Sequence, residues 1–288
     1  MTLPNFLIIG GMKCGTTSLH HYLAQHPEIQ TPSLKEANFF SGPPEGIPYP
    51  MGANRIVELQ DYEALFDPAF RVRGEASPCY TLYPRRKGVP ERISELLPDV
   101  KLIYILRDPV ERLVSHYRFR VSLENETRSL VDALGDFSDQ TSLYTCPGFY
   151  AAQLERYIAH FPQDNILIIQ QEDLLAERIA TLATVFRFLD VNDGYVSPQF
   201  REEVNTGRER RTYSKFVPLI ERARMSRLHQ LPRSVRRPLR NALERITSQP
   251  LDKPVLDQDL RARIQDLYAA DASRLRQITG KAFEGWTV

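Results

Sequence analysis

The sequence predicts an α/β fold: a P-loop-like central parallel sheet flanked by helices, with a helical extension in the C-terminal third. Three observations predict it. Short apolar runs alternate with amphipathic stretches through the first two thirds of the chain. Two of the strand-to-helix junctions carry residue types suited to anions. After Asp190 the pattern changes to long basic helical stretches.

The first apolar run, Phe6-Leu7-Ile8-Ile9, ends in Gly10-Gly11 and leads into a helical pattern from Thr16 to about Gln25, stopped by His26-Pro27. Residues 31–52 are rich in Pro, Gly and Ser and read as an irregular loop that forms a wall or lid of the site. Residues 89–97 read as a helix and Lys101-Leu102-Ile103-Tyr104-Ile105-Leu106 as a buried strand. Asp108 and Pro109 then supply the N-cap and first-turn proline of the next helix. Farther on, 149–161 reads as helix, 166–169 as strand and 179–189 as helix. Two basic helices, 216–228 and 256–279, flank a proline-marked stretch at 231–254, and this third packs onto the sheet and lends loops to the site. A single domain over 1–288 is expected.

Composition narrows the classes. With 42% hydrophobic and 25% charged residues over 288 positions, the chain is an ordinary globular protein able to bury a sizeable core. Cys14, Cys79 and Cys146 are scattered, with no CxxC and no Cys/His pairing at metal-ligand spacing, which argues against a disulfide framework and a metal site. Residues 3–9 lack a basic leader and are too short to span a bilayer, so a cytoplasmic protein without stable membrane insertion is expected. Net charge is +1, yet residues 201–245 hold 13 Lys/Arg against 5 Asp/Glu. Such a region attracts an anionic ligand, an acidic glycan, a nucleic acid or a membrane surface, or else forms solvated helix faces.

Gly10-Gly11-Met12-Lys13-Cys14-Gly15-Thr16-Thr17-Ser18 lies between the first strand and the first helix, where backbone amides and a helix N-terminus can hold phosphate oxygens. Gly10 and Gly15 have P-loop spacing, but Thr16 stands where a nucleoside triphosphatase has lysine, and the lysine is Lys13, inside the loop. Triphosphate cleavage uses Mg²⁺ to neutralise phosphate charge. A phosphosulfate anhydride carries less charge at its cleaved bond, so one lysine near the bridging oxygen can stabilise the leaving phosphate without a metal. Thr16, Thr17 and Ser18 offer hydroxyls and amides. The bland alternative is a glycine turn with a solvated lysine.

The second junction runs from Arg107-Asp108-Pro109 into a helix on which Val110, Leu113, Val114 and Tyr117 form the core stripe, leaving Ser115 on another side. An arginine at the strand end and a serine two turns along can grip one anion from two directions. Alternatively, Arg107 pairs with Asp108 or a neighbouring carboxylate. Two anion sites at two strand ends of one sheet suit a nucleoside with phosphates at both ends.

These residues carry a resemblance: the chain resembles the sulfotransferases that use 3′-phosphoadenosine 5′-phosphosulfate (PAPS), and more the heparan sulfate and bacterial branch than the cytosolic phenol branch. The resemblance implies that Gly11, Lys13, Cys14, Gly15, Thr16, Thr17 and Ser18 bind the 5′-phosphosulfate. It likewise implies that Arg107 and Ser115 bind the 3′-phosphate. Lys35-Glu36-Ala37-Asn38-Phe39-Phe40 is similar to the family's Lys-Glu-x-x-Phe-Phe, which implies Glu36 as catalytic base, with Lys35 and Phe39 beside the acceptor. The alternative is a surface glutamate beside a Phe pair that plugs the core.

Gly74-Glu75-Ala76-Ser77-Pro78-Cys79-Tyr80 resembles the family's Glu-Lys-Ser-Pro-x-Tyr, with Ala76 where that pattern has lysine; this weakens the case for a heparan-like acceptor. Glu75 is either a second active-site carboxylate or structural, and Ser77 is a further substrate-side candidate. Asn205-Thr206-Gly207-Arg208 resembles a family loop over the donor's 3′ end, implying Thr206, Gly207 and Arg208 as donor ligands within a basic 201–254 region. Arg210, Arg211 and Lys215 equally suit solvent. His20, His21 and His116 read as surface or packing residues.

The expected activity is therefore in-line transfer of a sulfuryl group from PAPS to a hydroxyl or amine of a carbohydrate or small natural product, leaving 3′-phosphoadenosine 5′-phosphate (PAP). No metal requirement and no nucleic-acid partner are expected; oligomeric state is not legible. A P-loop kinase or hydrolase, and a non-catalytic PAPS or PAP sensor, are the rival readings. Thr16 in place of lysine argues against the first, and a sensor has no need of Glu36.

Overall fold

A computed structural model describes residues 1–42, 55–123, 126–137, 139, 141–204, 211–213 and 248–288. Residues 43–52 of the expected loop, the 205–208 stretch with Thr206, Gly207 and Arg208, and the expected helix at 216–228 lie outside the described residues.

Five parallel strands form the central sheet in the order β2-β3-β1-β4-β5. They are β1 (Phe6–Gly10), β2 (Ile29–Gln30), β3 (Val72–Ala76), β4 (Lys101–Leu106) and β5 (Ile166–Gln170). β1 and β4 sit centrally and are buried along nearly their whole length, which is why they read as unbroken apolar runs. Alternate residues feed opposite layers. Leu7, Ile9, Leu102, Tyr104 and Leu106 face the layer of α3 (Val89–Leu96), α6 (Tyr150–Ile158) and the long C-terminal helix α9 (Gln258–Thr279). Phe6, Ile8, Ile103 and Ile105 face α1 (Thr16–Leu23) and α8 (Arg178–Phe188). The expected sheet flanked by helices, with a helical C-terminal extension, is borne out.

The other helices are α2 (Leu59–Glu63), α4 (Pro109–Leu123), α5 (Leu130–Leu134) and α7 (Gln171–Ala176). β6 (Arg211–Tyr213) and β7 (Ser248–Pro250) form a separate antiparallel pair.

Strand β3 was not foreseen. Its sequence, Val-Arg-Gly-Glu-Ala, lacks an apolar run, yet Gly74, Glu75 and Ala76 are buried. Gly74 is required there, since a Cβ would stand 2.2 Å from the Phe6 carbonyl oxygen. Glu75 is tolerated because hydroxyls supply its hydrogen bonds.

Helix α9 starts at the N-cap Asp257, whose carboxylate accepts from Leu260 N–H at 2.8 Å, and ends at Gly280 with φ 65°. It buries Ile264, Tyr268, Ala272 and Leu275 along one stripe. The chain then folds back, setting Trp286 5.7 Å from the Tyr150 ring and letting Thr287 N–H donate to Asp108 Oδ2 at 2.5 Å. The C-terminal segment thereby buttresses the second junction. No helix among the described residues is long and apolar enough to cross a membrane.

Candidate active site

The β1–α1 loop is shaped by backbone that few side chains tolerate. Lys13 and Gly15 hold left-handed angles, φ 69° and 98°. At Gly10 a Cβ would lie 2.1 Å from Thr81 Oγ1, a hydroxyl that donates to the Ile9 carbonyl at 3.1 Å. Because Gly15 is the N-cap, no side chain caps α1, and its first turn has no acidic residue. The first amides and the positive end of the helix dipole are thus left for an anion. Thr16 is buried and Thr17 half-buried. Ser18 differs from expectation in one respect: its hydroxyl donates to the Val204 carbonyl at 2.7 Å. Together with Tyr22 Oη on the Glu202 carbonyl at 2.7 Å, this ties the chain just ahead of the 205–208 stretch onto α1.

At the β4–α4 junction, Asp108 caps the helix, its Oδ1 accepting from Glu111 N–H at 2.9 Å. Arg107 is half-buried, and its Nη2 lies 3.3 Å from Glu111 Oε2, while Lys253 Nζ reaches both Glu111 oxygens at 2.8 Å. The neighbouring carboxylate foreseen as a partner for Arg107 is therefore Glu111, on the first turn of α4. Ser115 stands half-buried two turns along.

Tertiary structure joins the two junctions. Gly11 N–H donates to the Ile105 carbonyl at 2.6 Å. Tyr150, from α6, donates to the Arg107 carbonyl at 2.8 Å and lies 3.4 Å from Cys14 Sγ, so one hydroxyl touches both. Lys13 Nζ stands 4.0 Å from the Phe119 ring centre. Ser115 and Phe119 are four residues apart on α4 and share a face, so the lysine of the first junction meets the helix face of the second. Cys14 is buried and its thiol pushed up to about 11 by that burial, which keeps it an inert packing group.

The segment after β2 brings Glu36 to the same edge of the sheet. Its N–H donates to the Ala76 carbonyl at 3.1 Å, and Ser77 N–H donates to the Ile8 carbonyl at 3.1 Å, beside the start of the β1–α1 loop. Glu36 is 35% exposed along its side chain, so solvent and ligands can reach it, and Lys35 Nζ donates to its Oε1 at 2.6 Å. Phe39 stacks on Tyr62 at 4.3 Å and Phe40 is buried against Tyr62 and Tyr80, so Phe40 belongs to the core and half-buried Phe39 packs against it. Glu75 and Ser77, expected as substrate-side candidates, are fully buried, so neither presents its side chain to solvent.

His116 is buried against Tyr144, 5.3 Å between ring centres. His20 is held down to about 4 by burial, then by the charge of Lys35, and is neutral at physiological pH. Tyr150 and Phe119 were missed because their roles arise from α6 and α4 meeting the loop, with no local signal. A cleft lined by Gly15, Ser18, Tyr22, Gln171, Leu174 and Arg178 opens beside the start of α1 and was likewise not foreseen. Among the described residues, no group of three or more His, Cys, Asp or Glu side chains is placed to hold a metal ion.

The profile of the sulfotransferase domain family matches residues 3–216. The bifunctional heparan sulfate N-deacetylase/N-sulfotransferase 2 of Homo sapiens is 28% identical over 210 residues, 66% of this chain and 22% of that protein, so the match spans about a fifth of that relative's length. The membrane-associated sulfotransferase kil1 of Dictyostelium discoideum is 36% identical over 130 residues, 45% of this chain and 26% of that protein. A sulfotransferase structure from Alicyclobacillus acidocaldarius has a TM-score of 0.73 at 26% identity and covers 99% of both chains.

Proposed function

The chain belongs to the sulfotransferase family and is an enzyme of the PAPS-dependent sulfotransferase class, and from that premise we propose that it moves a sulfuryl group from PAPS to a hydroxyl or amine of a carbohydrate or small natural product. One observation carries the assignment of residues: Lys13 and Arg107, predicted to grip opposite ends of one nucleotide, belong to adjacent strand ends that share the Tyr150 hydroxyl.

The residues present fit the donor. The uncapped first turn of α1 receives the 5′-phosphosulfate, with Lys13, Gly15, Thr16 and Thr17 around it and Ser18 contributing its amide. Arg107 and Ser115 receive the 3′-phosphate. Thr206, Gly207 and Arg208 remain proposed covering residues, supported by the tether of Val204 to Ser18.

In this reading the acceptor oxygen or nitrogen attacks sulfur in line, and Glu36 takes its proton. The bond from sulfur to the bridging oxygen breaks, and its electron pair stays on the 5′-phosphate of PAP, stabilised by Lys13. Lys35 steadies the Glu36 carboxylate. Ala76 speaks against a strictly heparan-like acceptor, while the N-sulfotransferase relatives keep an amine acceptor in the screen. The reading takes residues 1–288 as one catalytic domain that needs no metal. Its cytoplasmic placement is supported by three free, buried thiols.

The test is transfer of labelled sulfate from PAPS to amino-sugar glycans, hydroxylated glycans and phenols, with and without EDTA. Glu36→Gln is expected to bind PAP normally while turnover falls about 10²–10⁴-fold. Unchanged turnover would remove Glu36 from the mechanism, and activity abolished by EDTA would favour a metal-dependent nucleotide enzyme.

A further inference from the structure

Glu36 and Asn38 both hold left-handed backbone angles, φ 64° and 53°. Such angles cost a residue other than glycine on the order of 1 kcal/mol each and persist only where the surroundings over-determine them. Here the surroundings converge on one buried carboxylate. Asn38 N–H donates to Ser77 Oγ at 3.0 Å, and Asn38 Nδ2 closes back on the Glu36 carbonyl at 2.9 Å. Ser77, having accepted that bond, donates its own proton to Glu75 Oε2 at 2.7 Å. Tyr80 donates to Glu75 Oε1 at 2.7 Å, with Tyr62 Oη 3.5 Å from the same oxygen, and Phe40 N–H points at Tyr80 Oη at 3.5 Å. The hydroxyls that hold the backbone of Asn38 and Phe40 are therefore themselves aimed by Glu75.

We infer that Glu75 is a positioning residue for sulfuryl transfer: by fixing the protons of Ser77 and Tyr80 it locks the 36–40 segment, and with it the Glu36 carboxylate, at the acceptor side of the site. The inference rests on Glu36 being the base. Glu75 does not take that role itself, because it is 0% exposed and both its oxygens accept from hydroxyls. An amide at this position presents one oxygen where the carboxylate presents two, so one hydroxyl must turn away and its bond to the 38–40 backbone weakens.

The same hub is sensitive to pH. Burial raises Glu75 to about 7; the bonds from Tyr80 and Ser77 and the charge of Lys35 lower it, and Glu36 raises it. The groups facing it are Tyr62 from α2, Ser77 and Tyr80 from the turn after β3, and Lys35 and Glu36 from the segment after β2. The folded value lies above the ordinary 4.5, so the contribution of Glu75 to stability is fully present below 4.5 and is lost as pH rises to about 7. Above about 7 both oxygens are free to accept, and the lock on 36–40 is complete.

Glu75→Gln, Ser77→Ala, Tyr80→Phe and Glu36→Gln are compared by amide hydrogen exchange over residues 35–40, by calorimetric PAP binding and by melting temperature across pH. Turnover of PAPS is measured with N-deacetylated heparosan, 4-nitrophenol and water as acceptors. Glu75→Gln and Ser77→Ala are expected to speed exchange at Asn38 by about tenfold or more. They are expected to lower turnover roughly 10–100-fold through misplacement of the base while leaving the PAP dissociation constant unchanged. Glu75→Gln is also expected to flatten both the rate limb near pH 7 and the loss of stability between 4.5 and 7. Unchanged exchange or turnover in folded Glu75→Gln overturns the inference. So does deep loss in Glu75→Gln beside full activity in Ser77→Ala and Tyr80→Phe, which would make Glu75 the base. Should Glu75→Gln fail to fold, Ser77→Ala and Tyr80→Phe decide the matter by the same readouts. Normal turnover in Glu36→Gln sinks the base assignment by itself, whereas an inactive Glu36→Gln beside fully active hub variants sinks only the positioning role.

Discussion

At the β1–α1 junction the positive potential is built from backbone: left-handed Lys13 and Gly15, an uncapped helix start and no acidic residue in the first turn. At the β4–α4 junction it is carried by a guanidinium that shares its charge with Glu111, itself held by Lys253, on a helix already capped by Asp108. The first junction is preorganised, since its amides cannot turn away from an anion. The second is a side-chain grip closed on its own carboxylate, so an anion arriving at Arg107 has to displace or outcompete Glu111. Preorganised dipoles act on developing charge without reorganisation, whereas a grip made equally in the ground state and the transition state changes binding and not the chemical step. The division suits an enzyme that does chemistry at one end of its donor and only holds the other.

Three substitutions break or sharpen that contrast. The largest effect is expected from Lys13→Ala, which should cut transfer on the order of 10²–10³-fold, as loss of a preorganised group facing developing charge does. Steady-state turnover at saturating PAPS reads it, and a change confined to KM would show that Lys13 only binds. Next comes Arg107→Ala, expected to weaken PAP binding about 10–100-fold with turnover at saturation little altered. An unaltered dissociation constant by calorimetry contradicts the 3′-phosphate assignment. The smallest is Glu111→Gln, which frees Arg107 and Lys253 and should tighten PAP binding about 2–5-fold at low salt, the gain shrinking as salt screens it. If Glu111→Gln instead weakens PAP, Glu111 positions Arg107 rather than competing with the ligand.

Much of this arrangement was legible in the chain. The runs at 6–9, 101–106 and 166–169 announce their strands because strands covered on both faces must be apolar throughout. Asp108-Pro109 and the Gly/Lys/Thr/Thr/Ser turn mark the two helix starts through local capping chemistry. Strand β3 was illegible because its burial depends on partners far away in sequence: Phe6 occupies the space a side chain at Gly74 would need, and Tyr62 lies within reach of Glu75. The fate of the 36–40 motif divides in the same way. Resemblance singled out Glu36, but only packing shows Phe40 in the core, Phe39 against it and Glu75 fully buried.

By itself the amino-acid order determined the alternation of strand and helix, the two anion-seeking turns and the residue types available in each, because these follow from short-range periodicity, capping and backbone freedom. Tertiary structure alone decided that Lys13 meets the Ser115 face of α4 through Phe119, that Tyr150 bridges Cys14 and Arg107, that Lys253 shares Glu111, and that a buried Glu75 is answered by hydroxyls. Apart from the Ser77 and Tyr80 hydroxyls, which follow Glu75 closely in the chain, each of those contacts joins segments widely separated in sequence, and their energies are realised only once the sheet has brought the strand ends side by side.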